Sequence, residues 1–184
     1  IKTKKLHYLL SEKFSFKKEI SKIEVYDNSH FSGKEAIGSF IVADIIGFIK
    51  TEYRKFNIKE AATNNDYGMM EEVLMRRFLS KKINSYPDLI IIDGGLGQLS
   101  VAKKVFNKLS IKNVELISIS KGKMRNASNE TFYDINGNKI NLSRTEPLFY
   151  YLQRLRDEAH RYAISNHRIK REKELFKSEI DSIE

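Results

Sequence analysis

The 184-residue chain has no cysteine. That removes a disulfide framework and any zinc–thiolate site, and it is compatible with a reducing cytoplasm. No apolar run is long enough to cross a bilayer, and the amino terminus does not read as a signal peptide. Without a secretory signal, Asn126-Ala127-Ser128 and Asn141-Leu142-Ser143 match the glycosylation pattern by chance. No Gly-Lys-Ser/Thr triplet marks a P-loop. Only two prolines interrupt the chain: Pro87 breaks the path into a strand and Pro147 opens a helix.

The apolar share is 41%, with 11 Phe and 9 Tyr, which is enough for one domain with a core. The formal net charge is +9 and the sequence pI is about 9.5. That balance points to nucleic acid or another anionic surface, and away from a membrane-spanning role. The chain starts at Ile1, which is expected of a piece of a longer protein.

One stretch organises the rest. Leu89 to Ile92 is an unbroken apolar run, as in a strand buried on both faces. It stops at Asp93, and Gly94 and Gly95 follow. A helix then runs from Gln98 to Leu109, with Leu99, Ala102, Val105, Phe106 and Leu109 on one side. Asp93 has three readings. It caps the helix or forms the turn, it belongs to a phosphate cradle, or it holds a cation. The cradle fits poorly. Gly95-Leu96-Gly97-Gln98-Leu99-Ser100 puts Ser100 where a dinucleotide fingerprint wants Gly or Ala, and a carboxylate there repels pyrophosphate. A hard divalent ion reverses that objection, provided that partners come from elsewhere.

In chain order, a leading segment over 1–22 contains a short helix from Lys4 to Leu10 and a linker. Ile23 to Tyr26 reads as a strand ending in Asp27. Ala36 to Ala43 and Phe48 to Phe56 complete an antiparallel meander. Asp66 reads as the N-cap of a helix from Tyr67 to Lys82. After the Asp93 unit come a strand at Val114 to Ile119 and a hairpin around Asn136-Gly137. A helix then runs from Pro147 to Arg171 with Leu148, Leu152, Leu155 and Ala159 as its stripe, and His160 lies beside it. The charged tail over 172–184 is expected to fray. The domain proper is thus expected over 23–171.

Three strands, helix, strand, helix, strand, hairpin, helix is the order of an α/β fold: a ribonuclease H-like mixed β-sheet with helices on both faces. That fold sets the first strand beside the fourth, so Asp27 and Asp93 face each other. Two close carboxylates repel unless a cation lies between them. Mg²⁺ or Mn²⁺ suits such a site and supports phosphodiester hydrolysis. His160, on the crossing helix, is a third ligand or a proton shuttle.

Several runs resemble, in order, the C-terminal endonuclease domain of the UvrC family of bacterial nucleotide-excision-repair nucleases. They are Asp27-Asn28-Ser29-His30, Asn65-Asp66-Tyr67, Ile92 to Leu99 (Ile-Asp-Gly-Gly-Leu-Gly-Gln-Leu), Ser120-Lys121-Gly122, Glu130-Thr131-Phe132 and Arg156 to Ile164. The resemblance covers about Ile23 to Arg171. It implies a ribonuclease H-like domain that makes the incision 5′ to a lesion, with an Asp-Asp-His triad at Asp27, Asp93 and His160 and a further functional acid at Asp66. It also implies damaged double-stranded DNA as substrate, UvrB as partner, UvrA indirectly, and a cytoplasmic location. The chain departs from the family at Asn28, where Ile is usual, and at Leu96, where Lys is usual. The family's 3′-incising nuclease, UvrB-contacting motif and helix-hairpin-helix pair have no counterpart here.

Phosphate contacts are expected from Lys121, Lys123 and Arg125 on a loop after a strand, and from Arg156 and Arg161 on the last helix. Arg154 and Arg168 are weaker candidates of the same kind, and Lys103, Lys104 and Lys108 read as a solvated face. His30 and His167 read as polar neighbours of the site, and Glu158 as a local partner of Arg154 or Arg161. Two rival readings are a non-catalytic DNA- or protein-binding module, and another ribonuclease H-like nuclease such as a junction resolvase or an RNA–DNA hybrid cutter.

Overall fold

The computed structural model describes residues 2–31, 35–61, 64–82, 85–122 and 130–183. The elements are α1 (Thr3–Phe14), β1 (Ile23–Phe31), β2 (Glu35–Ala43), β3 (Arg54–Asn57), α2 (Asp66–Leu79), β4 (Leu89–Asp93), α3 (Leu96–Lys108), β5 (Glu115–Ser120), β6 (Thr131–Tyr133), β7 (Lys139–Ile140) and α4 (Pro147–Asp181). The strands form one sheet in the order β3-β2-β1-β4-β5-β6-β7. β1, β4 and β5 run parallel at its centre, and the outer pairs are antiparallel.

Successive side chains of a strand point to opposite faces, and β1 shows what covers each. Glu24 meets Arg77 of α2, while Asp27 meets His160 of α4. So α2 and α4 lie on opposite faces, and the sheet is sandwiched as expected. The wholly apolar β4 fits its central place, with Leu89 to Ile92 all fully buried.

α2 approaches β2 closely at Gly38. A Cβ built there would lie 2.1 Å from Val73 Cγ2. Gly38→Ala is therefore expected to cost about 1–3 kcal/mol through overpacking. Urea unfolding measures it, and an unchanged midpoint would mean that α2 yields without penalty.

Four expectations are corrected. The strand predicted from Phe48 to Phe56 is broken: Phe48 makes only an isolated bridge to Ala43, and a 3-10 turn over Lys50–Glu52 precedes β3. Tyr53 is the reason, because it is buried where a Phe48–Phe56 alternation would expose it. The cap of α2 is Asn65, whose side chain accepts from the Gly68 N–H at 3.0 Å, and Asp66 is the first helical residue. α1 is longer than predicted and buries Leu6, His7, Leu10 and Phe14. His7 Nδ1 bonds the Ile20 carbonyl at 2.9 Å and Nε2 lies 2.6 Å from Tyr151 Oη of α4. Burial holds this imidazole below its usual pKa. Finally, α4 does not end near Arg171 but continues to Asp181. Its last turns are exposed but free of Gly and Pro, and rich in Lys and Glu, which hold a helix well.

Candidate active site where β1 and β4 part

The parallel β1–β4 pairing ends at Tyr26 and Ile92, so Asp27 and Asp93 stand side by side just beyond it on the face covered by α4; β1 does not end at Asp27 as expected but runs on to Phe31, still paired with β2. This is the crevice where open α/β sheets place their sites. α4 contributes two residues four positions apart, which therefore share one face. His160 Nδ1 lies 3.1 Å from Asp27 Oδ2, and Arg156 Nε donates to Asp93 Oδ1 at 3.1 Å. Each carboxylate thus has its own partner from one helix.

The ligand atoms of Asp27, Asp93 and His160 all lie within 4.8 Å of one another, and among the described residues no other such group of acidic and histidine side chains exists. Burial, with the Asp93 charge beside it, pushes the Asp27 carboxyl up to about 6. Burial raises Asp93 as well, against the pull of Arg156, His160 and Lys121. Both shifts record burial that disfavours the charged carboxylates. Two carboxylates and an imidazole at this spacing fit a hard divalent cation that keeps some of its waters. The His160 side chain is 59% exposed, so its second nitrogen is open to solvent.

The remaining expected site residues divide. Asp66 opens α2, exposed and outside the three-residue cluster. The Tyr67 ring fixes this end of α2 against α3, filling the space where a side chain at Gly97 would stand. Lys121 is exposed at the end of β5 and acts electrostatically on Asp93. Lys123 and Arg125 lie outside the described residues, as do the side chains of His30 and His167. Arg156 is not on an open face: its side chain is 12% exposed and held among Asp93, Glu130 and Asp157. Arg161 donates to both oxygens of Glu158, and Oε2 also accepts from Tyr53 Oη at 2.8 Å. Asn28 has both side-chain polar atoms buried without a partner among the described residues, and Leu96 is exposed.

Glu130 had no assigned role in the sequence, yet it belongs here. β6 is antiparallel to β5 and Thr131 pairs with Ser120, so residue 130 arrives at the edge where Asp93 stands. The clue was a carboxylate just ahead of a strand that returns from the active edge.

The fold and site together define a ribonuclease H-like protein with a two-carboxylate, one-histidine centre. A family model described as the UvrC RNAse H endonuclease domain matches residues 11–164. The UvrABC system protein C of Sphingopyxis alaskensis is 42% identical over 97% of this chain and 29% of its own length. That of the Wolbachia of Brugia malayi is 48% identical over 88% of this chain and 27% of its own length. The chain belongs to the UvrC family, as its ribonuclease H endonuclease domain. It spans less than a third of the length of these relatives. Among solved structures, a Ciona intestinalis Endonuclease V bound to inosine-containing DNA aligns with a TM-score of 0.41 at 16% identity, over 57% of this chain and 48% of that one.

Proposed function

We propose that this domain is the metal-dependent DNA endonuclease that makes the 5′ incision in bacterial nucleotide excision repair, acting in the cytoplasm on damaged double-stranded DNA presented by UvrB after loading by UvrA. The observation that carries the reading is the convergence of Asp27, Asp93 and His160 within 4.8 Å where the pairing of two adjoining parallel strands ends.

Asp27 and Asp93 would hold Mg²⁺ or Mn²⁺, which supplies a Lewis acid and an acidified water for phosphodiester hydrolysis. In that reaction a water oxygen bonds to phosphorus, one P–O ester bond breaks, and the departing oxygen takes a proton. His160 either completes the ligand set or moves the proton. Its exposed ring nitrogen supports the second role, and its contact with Asp27 suits both. Lys121 offers positive charge to the phosphate backbone at the active edge, with Lys123 and Arg125 proposed to extend it. Arg156 is proposed to meet the scissile phosphate, and Arg161 a more distant one. Asp66 is proposed as an accessory acid from the family pattern alone.

The test is calorimetric titration of Mn²⁺ into the wild type, Asp27→Ala and Asp93→Ala, followed by incision with the same changes in the full protein together with UvrA and UvrB. Binding lost in both variants, with loss of the 5′ cut and retention of the 3′ cut, is the expected result. Full 5′ incision by either variant would overturn the assignment. Retained DNA binding with no metal-dependent cleavage by the wild type would favour a non-catalytic module.

A further inference from the structure

Arg156 has more carboxylate around it than it can serve. Nε is committed to Asp93 Oδ1 at 3.1 Å. Nη1 lies 3.9 Å from Glu130 Oε1 and 4.0 Å from Asp157 Oδ1, both beyond hydrogen-bond length. Asp157 is exposed and needs no partner, but Glu130 is different. Its side chain is only 5% exposed. Oε1 takes a long bond from Gln153 Nε2 at 3.4 Å, and Oε2 is buried with no hydrogen-bond partner among the described residues. A buried carboxylate oxygen left unmet is costly. The group that could meet it is already adjacent: a guanidinium fork can grip a carboxylate through two parallel N–H bonds. It does not do so here, because Asp93 holds the same guanidinium by its Nε.

This competition matters when a cation arrives. Asp93 cannot serve a divalent ion and a guanidinium equally well, since the two positive charges repel across a few ångströms. The natural retreat for Arg156 is the unmet oxygen of Glu130.

We propose that Arg156 is a resident cation with two berths, resting on Asp93 in the ion-free site and moving onto Glu130 when a divalent ion binds between Asp27 and Asp93. Glu130 is then a positioning residue that acts through Arg156. It keeps the guanidinium at the site, facing the phosphate, after Asp93 has released it. The inference rests on the reading that the carboxylate pair takes a divalent ion.

The experiment is Mn²⁺ calorimetry on the wild type, Arg156→Gln, Glu130→Gln and the double variant, with Asp93→Ala as the reference for the site and thermal unfolding as a check on folding. Arg156→Gln removes the competing charge and should tighten Mn²⁺ binding about tenfold, whereas Glu130→Gln removes the second berth and should weaken it about tenfold. The double variant should return to within about threefold of Arg156→Gln, because Glu130 has nothing left to act on. A crystal structure of the Mn²⁺-bound wild type needs no variant to fold, and should show the guanidinium bonded to both oxygens of Glu130 and withdrawn from Asp93 Oδ1. Weaker binding in Arg156→Gln, a double variant as weak as Glu130→Gln, or a guanidinium still on Asp93 beside the ion would each overturn the proposal. Failure of the underlying metal reading looks different: the wild type and Asp93→Ala would then behave alike.

Discussion

Arg77→Met should cost the domain about 3–5 kcal/mol, the penalty for leaving one member of a buried ion pair alone. Arg77 is 1% exposed and Glu24 likewise. Arg77 Nε donates to Glu24 Oε1 at 3.1 Å and Nη2 to Oε2 at 2.8 Å, with a third bond from Nη2 to the Ser85 carbonyl at 2.9 Å. Tyr26 Oη donates to Glu24 at 2.6 Å, and burial beside this carboxylate drives the phenol well above its usual pKa. The guanidinium also lies 5.5–5.6 Å from the Phe78 and Phe40 ring centroids. Methionine fills much of the volume but leaves a charged Glu24 under α2. Since whole domains are stable by only about 5–15 kcal/mol, the single change approaches the limit of folding. Arg77→Met with Glu24→Leu removes both charges, and should recover more than half of the loss. Urea denaturation of the two variants decides it. A double variant no better than the single one would mean that the pair's geometry, not its uncompensated charge, carries the stability.

Asp27→Asn should stabilise the ion-free domain at pH 7 while abolishing 5′ incision. The carboxyl has an ordinary value of 3.8 and is pushed up to about 6 in the fold by burial and by Asp93. A group raised on folding favours the native state below its unfolded value, and loses that contribution as pH climbs through the folded value. The wild type should therefore lose stability between about pH 4 and pH 7 through this site. A rise of about two units at 1.36 kcal/mol each bounds the effect near 3 kcal/mol, so a gain of about 1–3 kcal/mol is expected for the amide at pH 7. The gain should vanish near pH 4. Mn²⁺ should raise the melting temperature of the wild type and not of the variant. Incision should fall by about a thousandfold or more, since the ion stabilises several kcal/mol of transition-state charge. Thermal melts across pH, with and without Mn²⁺, test the first half. A variant less stable than the wild type at pH 7 would show that Asp27 is held by favourable contacts and not by tolerated repulsion. Function would then not be what keeps an unfavourable pair in place.

How far the chain announces itself varies with the range of the interaction. The Leu89–Ile92 run, the Asn136-Gly137 turn and the Leu148, Leu152, Leu155 stripe were legible because strand, turn and helix signals are periodic within a few residues. Asp27 and Asp93 stood out for the same reason: each follows a strand signal, and the order of elements sets the two strands side by side. His160 followed from its position beside the stripe of α4.

Other features were not legible, because nothing local distinguishes them. Arg76 and Arg77 are neighbours on one helix and read alike as positive charge near its end. Arg76 reaches the Asn57 carbonyl and Glu72 at the surface, while Arg77 turns into the core. Only the packing of α2 on β1 supplies the Glu24 that makes burial bearable. Asn65 and Asp66 are both good caps in sequence, and the chain's entry angle into α2 chose Asn65. The strand predicted through Phe48 broke because Tyr53 found a buried place against Tyr162 of α4, a partner over a hundred residues away.

The sequence by itself determined that this chain makes a mixed sheet with an acid on each of two neighbouring central strands, because backbone periodicity is a local property. The tertiary structure decided which charges face one another. Arg156 on Asp93, Glu130 behind it and His160 on Asp27 are contacts across 26 to 133 residues of chain. Pairings of that separation are fixed only when the sheet and α4 close over the site and exclude the water that would otherwise screen each charge.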